Sequence, residues 1–226
     1  MSTDLSDLFH SNRVWREERL AGDPDYFRKL AAQHVPKYLW IGCADARVPA
    51  NEILGLPPGD VFVHRNIANL VVHSDFSAQS VIQFAVDVLK VEHVIVVGHY
   101  GCAGVRACES GTRIGLADNW LYHLRDVQDR YVDRLQALPT AVERNDRLCE
   151  LNVLEQVVNV CKSNVVQDAW ARQQSLAVHG WVYGVGDGLL RDLGLTLAGP
   201  DGLVRAHRLA VEAVFNEVLD PSGTTG

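Results

Sequence analysis

The sequence predicts an α/β fold, with a central, mostly parallel β-sheet of four to five strands flanked by helices and preceded by an N-terminal helical arm. Two apolar runs, at residues 39–41 and 94–97, have the length of buried strands, and each ends at a glycine. Segments of helical periodicity separate the later strands. This alternation is typical of parallel strands joined by right-handed crossovers.

Residues 3–34 have helical spacing and form the predicted arm, which covers residues 1–35. Asp4 is a candidate cap for the first helix, and Gly22-Asp23-Pro24 interrupts the pattern. Pro24 can open a second helix, because proline is favoured in the first turn. Large aromatic residues on such an arm pack on a partner subunit or on their own domain, and the sequence leaves both alternatives open.

The other elements follow from apolar periodicity along the chain. Helix 77–90 has apolar residues nearly all round, which predicts burial on most sides and is compatible with a contact to another subunit. We predict one domain over residues 1–226, with a disordered tail at 220–226. Strands are predicted at 37–43, 61–64, 93–97 and 176–185, a shorter antiparallel edge strand near 190–197, and helices at 77–90, 120–135, 151–172 and 203–214.

Composition narrows the class of protein. The chain has 226 residues, 47% of them hydrophobic, which is enough for one substantial core. A net charge of −7 argues against a nucleic-acid surface and a basic membrane patch, and no apolar run approaches the ~20 residues of a membrane helix. The polar start at 1–7 is no signal peptide. Five cysteines without framework spacing favour a reducing compartment, so we predict a cytoplasmic protein.

The candidate metal site lies in two loops that follow the central strands. Cys43 follows the first apolar run and Gly42, whereas His99 and Cys102 follow the second run and Gly98. Ligands of open parallel sheets bind beyond the carboxyl ends of strands, so neighbouring strands would bring the three side chains together. Two thiolates and one imidazole suit Zn²⁺, and three protein ligands leave a fourth position open, as in catalytic sites. For any one cysteine alone, a core position is the commoner interpretation.

The same loops resemble a known family. The segments Cys43-Ala44-Asp45-Ala46-Arg47 and Gly98-His99-Tyr100-Gly101-Cys102 closely resemble the β-class carbonic anhydrases, and among them the bacterial type and its bicarbonate-regulated subset. Segments 64–69, 149–153 and 179–184 also look like that family. The family usually has serine where Ala44 and Ala46 stand, but neither neighbour binds metal.

The resemblance implies a reaction and an assembly. It implies zinc held by Cys43, His99 and Cys102, and reversible hydration of carbon dioxide to bicarbonate and a proton through zinc-bound hydroxide. Carbon dioxide and bicarbonate are then the small-molecule partners, with no nucleic acid and no membrane. A homodimer or homotetramer is the implied assembly.

Asp45 and Arg47 are the candidate catalytic residues beside the metal ligands. In one arrangement known from the family, Arg47 holds Asp45 off the metal and Asp45 orients the nucleophile through a hydrogen bond. In the other, Asp45 becomes the fourth ligand and the enzyme is off. The alternative is a surface ion pair of little energetic value.

A bicarbonate effector site is implied by the regulated subset of the family. Trp40, Arg65 and Tyr183 stand at the matching motif positions, and their indole, guanidinium and phenol groups are suitable donors to an anion. Occupancy would favour the closed state in which Asp45 binds zinc. The alternative is that Trp40 and Tyr183 are aromatic residues of the strand core.

Other interpretations of the same residues stay open. A hydrolase of carbon disulfide or carbonyl sulfide would use the same zinc chemistry, and a non-catalytic zinc-stabilised interaction module would hold the metal with four permanent ligands. A cysteine nucleophile at Cys43 with His99 as base is weaker, because the loop lacks the Cys-x5-Arg spacing of phosphatases. His34 stands where the family often has a pocket glutamine, and its role is left open.

Overall fold

The computed structural model describes residues 5–216, so the candidate cap Asp4 and the predicted tail at 220–226 lie outside the described residues. The chain divides into two units between Val35 and Pro36. The first contains α1 (Leu5–Gly22) and α2 (Tyr26–Ala32). Asp23 accepts hydrogen bonds from the Asp25 amide and the Lys29 ammonium, which fixes the turn between these helices near the predicted break.

The second unit is built on a five-stranded sheet with the order β2-β1-β3-β4-β5. The first four strands are parallel neighbours, and β5 pairs with β4 in the antiparallel direction. The predicted fold class is confirmed, including the antiparallel edge strand at 190–197, although this strand is longer than β4 and not shorter as predicted. The strands are β1 (Tyr38–Cys43), β2 (Val61–Asn66), β3 (His93–His99), β4 (Ala177–Tyr183) and β5 (Leu190–Leu197).

Helices surround this sheet, and in the described part of the chain none is long and apolar enough to cross a membrane. A short 3₁₀ turn (Ile67–Asn69) follows β2, and a π-helical turn (Phe84–Val88) follows α4. The helices are α3 (Ala50–Leu54), α4 (Phe76–Gln83), α5 (Ala103–Glu109), α6 (Ala117–Arg130), α7 (Val132–Gln136), α8 (Ala141–Lys162), α9 (Asn164–Ala171) and α10 (Leu203–Asn216).

The prediction of one long helix over 151–172 is wrong in its continuity. The chain breaks at Ser163, where the backbone becomes extended and α9 begins. The Ser163 hydroxyl donates to the Val160 carbonyl and accepts from the Val166 amide, so one side chain ends α8 and caps α9. At the other end, Thr140 and Glu143 form a reciprocal capping box that starts α8 earlier than predicted.

The helix predicted at 77–90 is also different in the structure. α4 gives way to the π-helical turn, in which the Leu89 amide donates to the Phe84 carbonyl five residues earlier. Phe76 is 87% exposed and Val88 60% exposed, so burial on most sides is wrong for the single chain. Only small or branched residues of one face, such as Ala78 and Ile82, reach the core.

The sheet separates two apolar clusters because successive strand residues point to opposite faces. Leu39 and Ile41 on β1 belong to the larger cluster, which is shared with α8. Trp40 of β1, with Ile95 and Val97 of β3, belongs to the smaller cluster on the other face. The residues that end these strands are therefore supported on both sides by packed side chains.

Glu155 on α8 is the centre of a buried polar cluster. Its carboxylate accepts hydrogen bonds from the Tyr131 hydroxyl and the Arg130 guanidinium, and it lies 3.0 Å from His207 Nε2. Burial alone would raise its pKa, but the His207, Tyr131 and Arg130 hydrogen bonds outweigh burial and lower the pKa to about 2. A carboxyl whose pKa is lower in the folded than in the unfolded chain stabilises the fold only while it is ionised.

We expect Glu155→Gln to lower the free energy of unfolding near pH 7 by roughly 1–3 kcal/mol. The deficit should shrink as the pH falls from about 4.5, the usual glutamate value, toward about 2, because wild-type protein loses the same contribution there. Urea unfolding at several pH values measures this. Glu212→Gln, which removes an exposed partner of Arg134, is the control and should change stability little. A deficit that does not vary with pH would contradict the prediction.

Candidate metal centre

The carboxyl ends of β1 and β3 bring the three predicted metal ligands together. Cys43 is the last residue of β1, His99 is the last residue of β3, and Cys102 immediately precedes α5. Gly101, with φ +69°, allows the tight turn that returns Cys102 toward His99. All three side chains are buried, and their ligand atoms lie within 4.8 Å of one another.

The two thiols form a close pair. Cys43 Sγ lies 3.9 Å from Cys102 Sγ. The hydrogen bond from the Cys102 thiol lowers the pKa of Cys43 although burial opposes this, and the same bond together with burial raises the pKa of Cys102. The pair thus shares a proton that a divalent cation bound to both sulfurs would displace.

His99 presents its other ring nitrogen to the thiols. Its Nδ1 lies 3.1 Å from the Tyr100 carbonyl oxygen, and because a carbonyl only accepts, Nδ1 carries the proton. Nε2 is buried and has no hydrogen-bond partner among the described residues. An orphaned imidazole nitrogen beside two thiols fits a borderline-soft cation such as Zn²⁺, with the tautomer already fixed for binding.

A strained turn after β2 supports Cys43. The backbone amides of Asp45 and Ala68 hydrogen-bond its sulfur and help to lower its pKa. Ala68 has φ +63°, a left-handed conformation that costs an alanine roughly 1–2 kcal/mol. The Asn152 carboxamide of α8 donates to the Ala68 carbonyl at 2.8 Å and holds the turn in place. The strained residue Ala68 therefore lies directly against the predicted ligand Cys43.

Asp45 and Arg47 form a two-point ion pair at the rim of the centre. Arg47 Nε lies 2.9 Å from Asp45 Oδ1, and a terminal nitrogen lies 2.7 Å from Oδ2. These hydrogen bonds hold the pKa of the Asp45 carboxyl well below its usual range. Asp45 Oδ2 is also 3.8 Å from His99 Nε2, so the carboxylate lies beside the ligand cluster.

The three predicted effector residues lie on the carboxyl half of the same sheet. Trp40 is fully buried, and its Nε1 has no hydrogen-bond partner among residues 5–216. The indole packs over Gly42, which is the register partner of Arg65 on β2. Arg65 donates to the backbone carbonyls of Cys43 and Asp45. Tyr183, like Trp40, packs in the smaller apolar cluster and ends β4 beside His99.

Comparisons with known proteins agree with this geometry. The carbonic anhydrase family model matches residues 38–190. The chain belongs to the β-class carbonic anhydrases. A carbonic anhydrase of Emericella nidulans is 48% identical over 192 residues, which cover 85% of this chain and 84% of the relative. The predicted enzyme class, carbonic anhydrase, is thus confirmed.

Solved β-carbonic anhydrases share the fold. The Coccomyxa enzyme in complex with acetazolamide has a TM-score of 0.82 and 42% identity, covering 88% of this chain and 90% of that one. A structure from work on two tetrameric enzymes of Sordaria macrospora has a TM-score of 0.83 and 38% identity, covering 86% and 98%. The bacterial type and the bicarbonate-regulated subset stay predictions.

Several residues around the candidate metal site had no role predicted from the sequence. Glu150 and Asn152 lie in a segment that resembles the family, yet nothing in their spacing shows which loops they contact. Their partners, Tyr100 and Ala68, lie 50 and 84 positions away along the chain. Only the packing of α8 beneath both loops identifies them.

Proposed function

We propose that this carbonic anhydrase hydrates carbon dioxide reversibly to bicarbonate and a proton, with zinc held by Cys43, His99 and Cys102. The convergence of two buried thiols and an orphaned imidazole nitrogen within 4.8 Å supports this most directly. Zinc, when bound, supplies the Lewis acidity that makes water nucleophilic near neutral pH. Two thiolates balance the charge of the cation, and three ligands leave a position for solvent.

Asp45 orients the nucleophile in this proposal, and Arg47 orients Asp45. The two-point ion pair restricts the carboxylate, and the low pKa of Asp45 keeps it an acceptor of hydrogen bonds. The fixed Asp45 carboxylate lies beside His99 Nε2, where it can accept a hydrogen bond from the nucleophile. Because the nucleophile is then already oriented, less entropy is lost when it reacts. The proton released to form bicarbonate passes to solvent buffer.

Stopped-flow hydration of carbon dioxide by zinc-loaded protein, between about pH 6.5 and 9, tests the proposal. We expect one zinc per chain and turnover that rises with pH. Zinc binding without turnover of carbon dioxide would contradict the substrate, and carbon disulfide and carbonyl sulfide, the alternative substrates predicted from the sequence, would then be assayed. Thermal unfolding with and without chelator separates a purely structural metal from a catalytic one.

Control by bicarbonate is the finer part of the proposal. Arg65 holds the backbone carbonyls of Cys43 and Asp45, so an anion that competes for its guanidinium loosens the loop that carries Asp45. The unpartnered indole N–H of Trp40 provides a further donor on the same sheet face. Bicarbonate held by Trp40, Arg65 and Tyr183 would favour a state in which Asp45 leaves Arg47 for the metal, and that differential affinity is the regulation.

We expect Trp40→Phe to raise the bicarbonate concentration for half-inhibition about 10–100-fold, because one hydrogen bond to a charged ligand contributes about 1.5–3 kcal/mol. Tyr183→Phe should act in the same direction. Initial rates at increasing bicarbonate measure this. Trp170→Phe removes an indole donor from the larger cluster, where Nε1 bonds the Leu176 carbonyl, and should leave inhibition unchanged. Unchanged inhibition in both test variants would contradict the effector site.

Assembly as a homodimer or homotetramer is also proposed. The related enzymes of Sordaria macrospora are described as tetrameric. In this chain, Phe76, Phe84 and Val88 of the α4 segment are 87%, 43% and 60% exposed. Large apolar side chains that are exposed on one helical segment favour burial in a subunit contact. Sedimentation of the full chain measures the state, whereas its cytoplasmic location stays a prediction.

A further inference from the structure

The loop that carries two metal ligands is attached to α8 by a buried hydrogen bond. Tyr100 follows His99 directly, and its hydroxyl donates to Glu150 Oε1 at 2.5 Å. Glu150 in turn accepts from Arg147 at 2.7 Å, and both of those side chains are only 4% exposed. This connection joins the end of β3 to the middle of the longest helix.

The backbone of Tyr100 also makes hydrogen bonds, one to His99 and one to β4. Its carbonyl accepts a hydrogen bond from His99 Nδ1, and its amide donates to the Tyr183 carbonyl of β4 at 3.0 Å. Rotation of this residue would therefore move the acceptor that fixes the imidazole. Cys102 lies two residues further along the same turn, so the same displacement reaches a second ligand.

The Tyr100–Glu150–Arg147 cluster is buried and contains charged groups, so it is stable only when each of these groups has a hydrogen-bond partner. The Glu150 carboxylate only accepts hydrogen bonds, so the Tyr100 phenol is the donor in this contact. Burial and the same carboxylate raise the pKa of Asp146 to about 6. A buried carboxylate that loses one of its donors is left partly unsatisfied, which costs more than an exposed hydrogen bond.

We propose that Tyr100 is a positioning residue, whose bond to the Glu150–Arg147 pair holds His99 and Cys102 in metal-binding geometry. The inference rests on the metal site of the proposed function. Partners behind the ligands commonly set metal affinity by 10–100-fold, because they fix the orientation of the ligand atoms. Tyr100→Phe removes only the hydroxyl and keeps the ring.

The chain contains a matched control on the same helix. Tyr131 donates to Glu155 Oε1 at 2.7 Å, and Glu155 also pairs with Arg130, so this is a second tyrosine–glutamate–arginine cluster on α8. Among residues 5–216, Glu155 bonds Tyr131, Arg130 of α6 and His207 of α10, and none of these lies in the loop after β3. Tyr131→Phe therefore removes the same chemical group without touching the metal ligands.

Zinc affinity, measured by competition with a chromophoric chelator, tests the inference, together with the visible spectrum of the cobalt(II)-substituted protein and the thermal unfolding of the metal-free protein. We expect zinc affinity to fall about 10–100-fold in Tyr100→Phe, with an altered cobalt spectrum, and to stay at the wild-type value in Tyr131→Phe. Both variants should lose comparable thermal stability without metal.

Three results would overturn the inference. Wild-type affinity and spectrum in Tyr100→Phe would show that the hydrogen bond only stabilises the fold. An equal loss of affinity in both variants would show a general effect of destabilisation. Failure of the wild-type chain to bind zinc at all would refute the proposed metal site, and this outcome is recognised before any variant is compared.

Discussion

Cys102→Ser is expected to abolish stoichiometric zinc binding and to lower carbon dioxide hydration at least about a thousandfold, because most of an enzyme's acceleration would depend on the metal. Cys102 Sγ lies 3.9 Å from Cys43 Sγ in the buried cluster with His99. A serine hydroxyl is a harder and much less acidic ligand than a thiol, so it does not replace the thiolate for Zn²⁺. Metal analysis of the purified protein and stopped-flow assays measure both losses.

Cys108→Ser is the matched control for this substitution. Cys108 is buried on α5, the helix that Cys102 precedes, and its thiol lies 3.2 Å from Gln128 Oε1, outside the metal cluster. A hydroxyl keeps that contact, so zinc content and turnover should stay near the wild-type values. Retention of zinc and turnover by Cys102→Ser would refute the assignment of this ligand, whichever result the control gives.

Gly98→Ala is expected to lower the free energy of unfolding by about 1–3 kcal/mol through overpacking. A Cβ at Gly98 would lie 2.6 Å from Val153 Cγ2 and 3.5 Å from the Cys149 carbonyl. Val153 is fully buried on α8, and its branched side chain has few alternative rotamers in a helix. Since Gly98 precedes His99, the same strain displaces the end of β3, and zinc affinity should fall as well. Urea unfolding of the metal-free protein measures the stability term alone.

The double variant Gly98→Ala/Val153→Ala tests the cause of this loss. Removing the two valine methyl groups makes room for the new Cβ. The loss of unfolding free energy in the double variant should therefore be smaller than the sum of the two single losses by about 0.5–3 kcal/mol. Additive losses would mean that the alanine acts elsewhere, through the backbone or through the unfolded chain. Stability equal to wild type in Gly98→Ala would contradict the close packing of β3 on α8.

The strands that carry the site were predictable because each is a short apolar run that ends at a glycine. The apolar runs that end at Gly42 and Gly98 were enough to predict β1 and β3, and the family motifs placed Cys43, His99 and Cys102 in one group. The continuity of helices was not predictable in the same way. Ser163 lies within the apolar helical spacing of residues 151–172 and is not distinguished there from other helix residues. Only its two hydrogen bonds in the folded chain show that it ends α8 and begins α9.

The sequence by itself determined the family, the succession of strands along the chain and the residue types available to a metal. Those features are encoded by residues close together in the sequence, through the spacing of apolar side chains and the residue types in the loops. The tertiary structure alone decided which side chains contact the loops of the proposed metal ligands, since Tyr100 reaches Glu150 and Ala68 reaches Asn152 only when α8 packs against the sheet. Of the two arrangements that the family resemblance implied for Asp45, the structure has the one in which the carboxylate pairs with Arg47. Contacts between distant positions arise from the packing of the sheet against α8, and no local pattern encodes them.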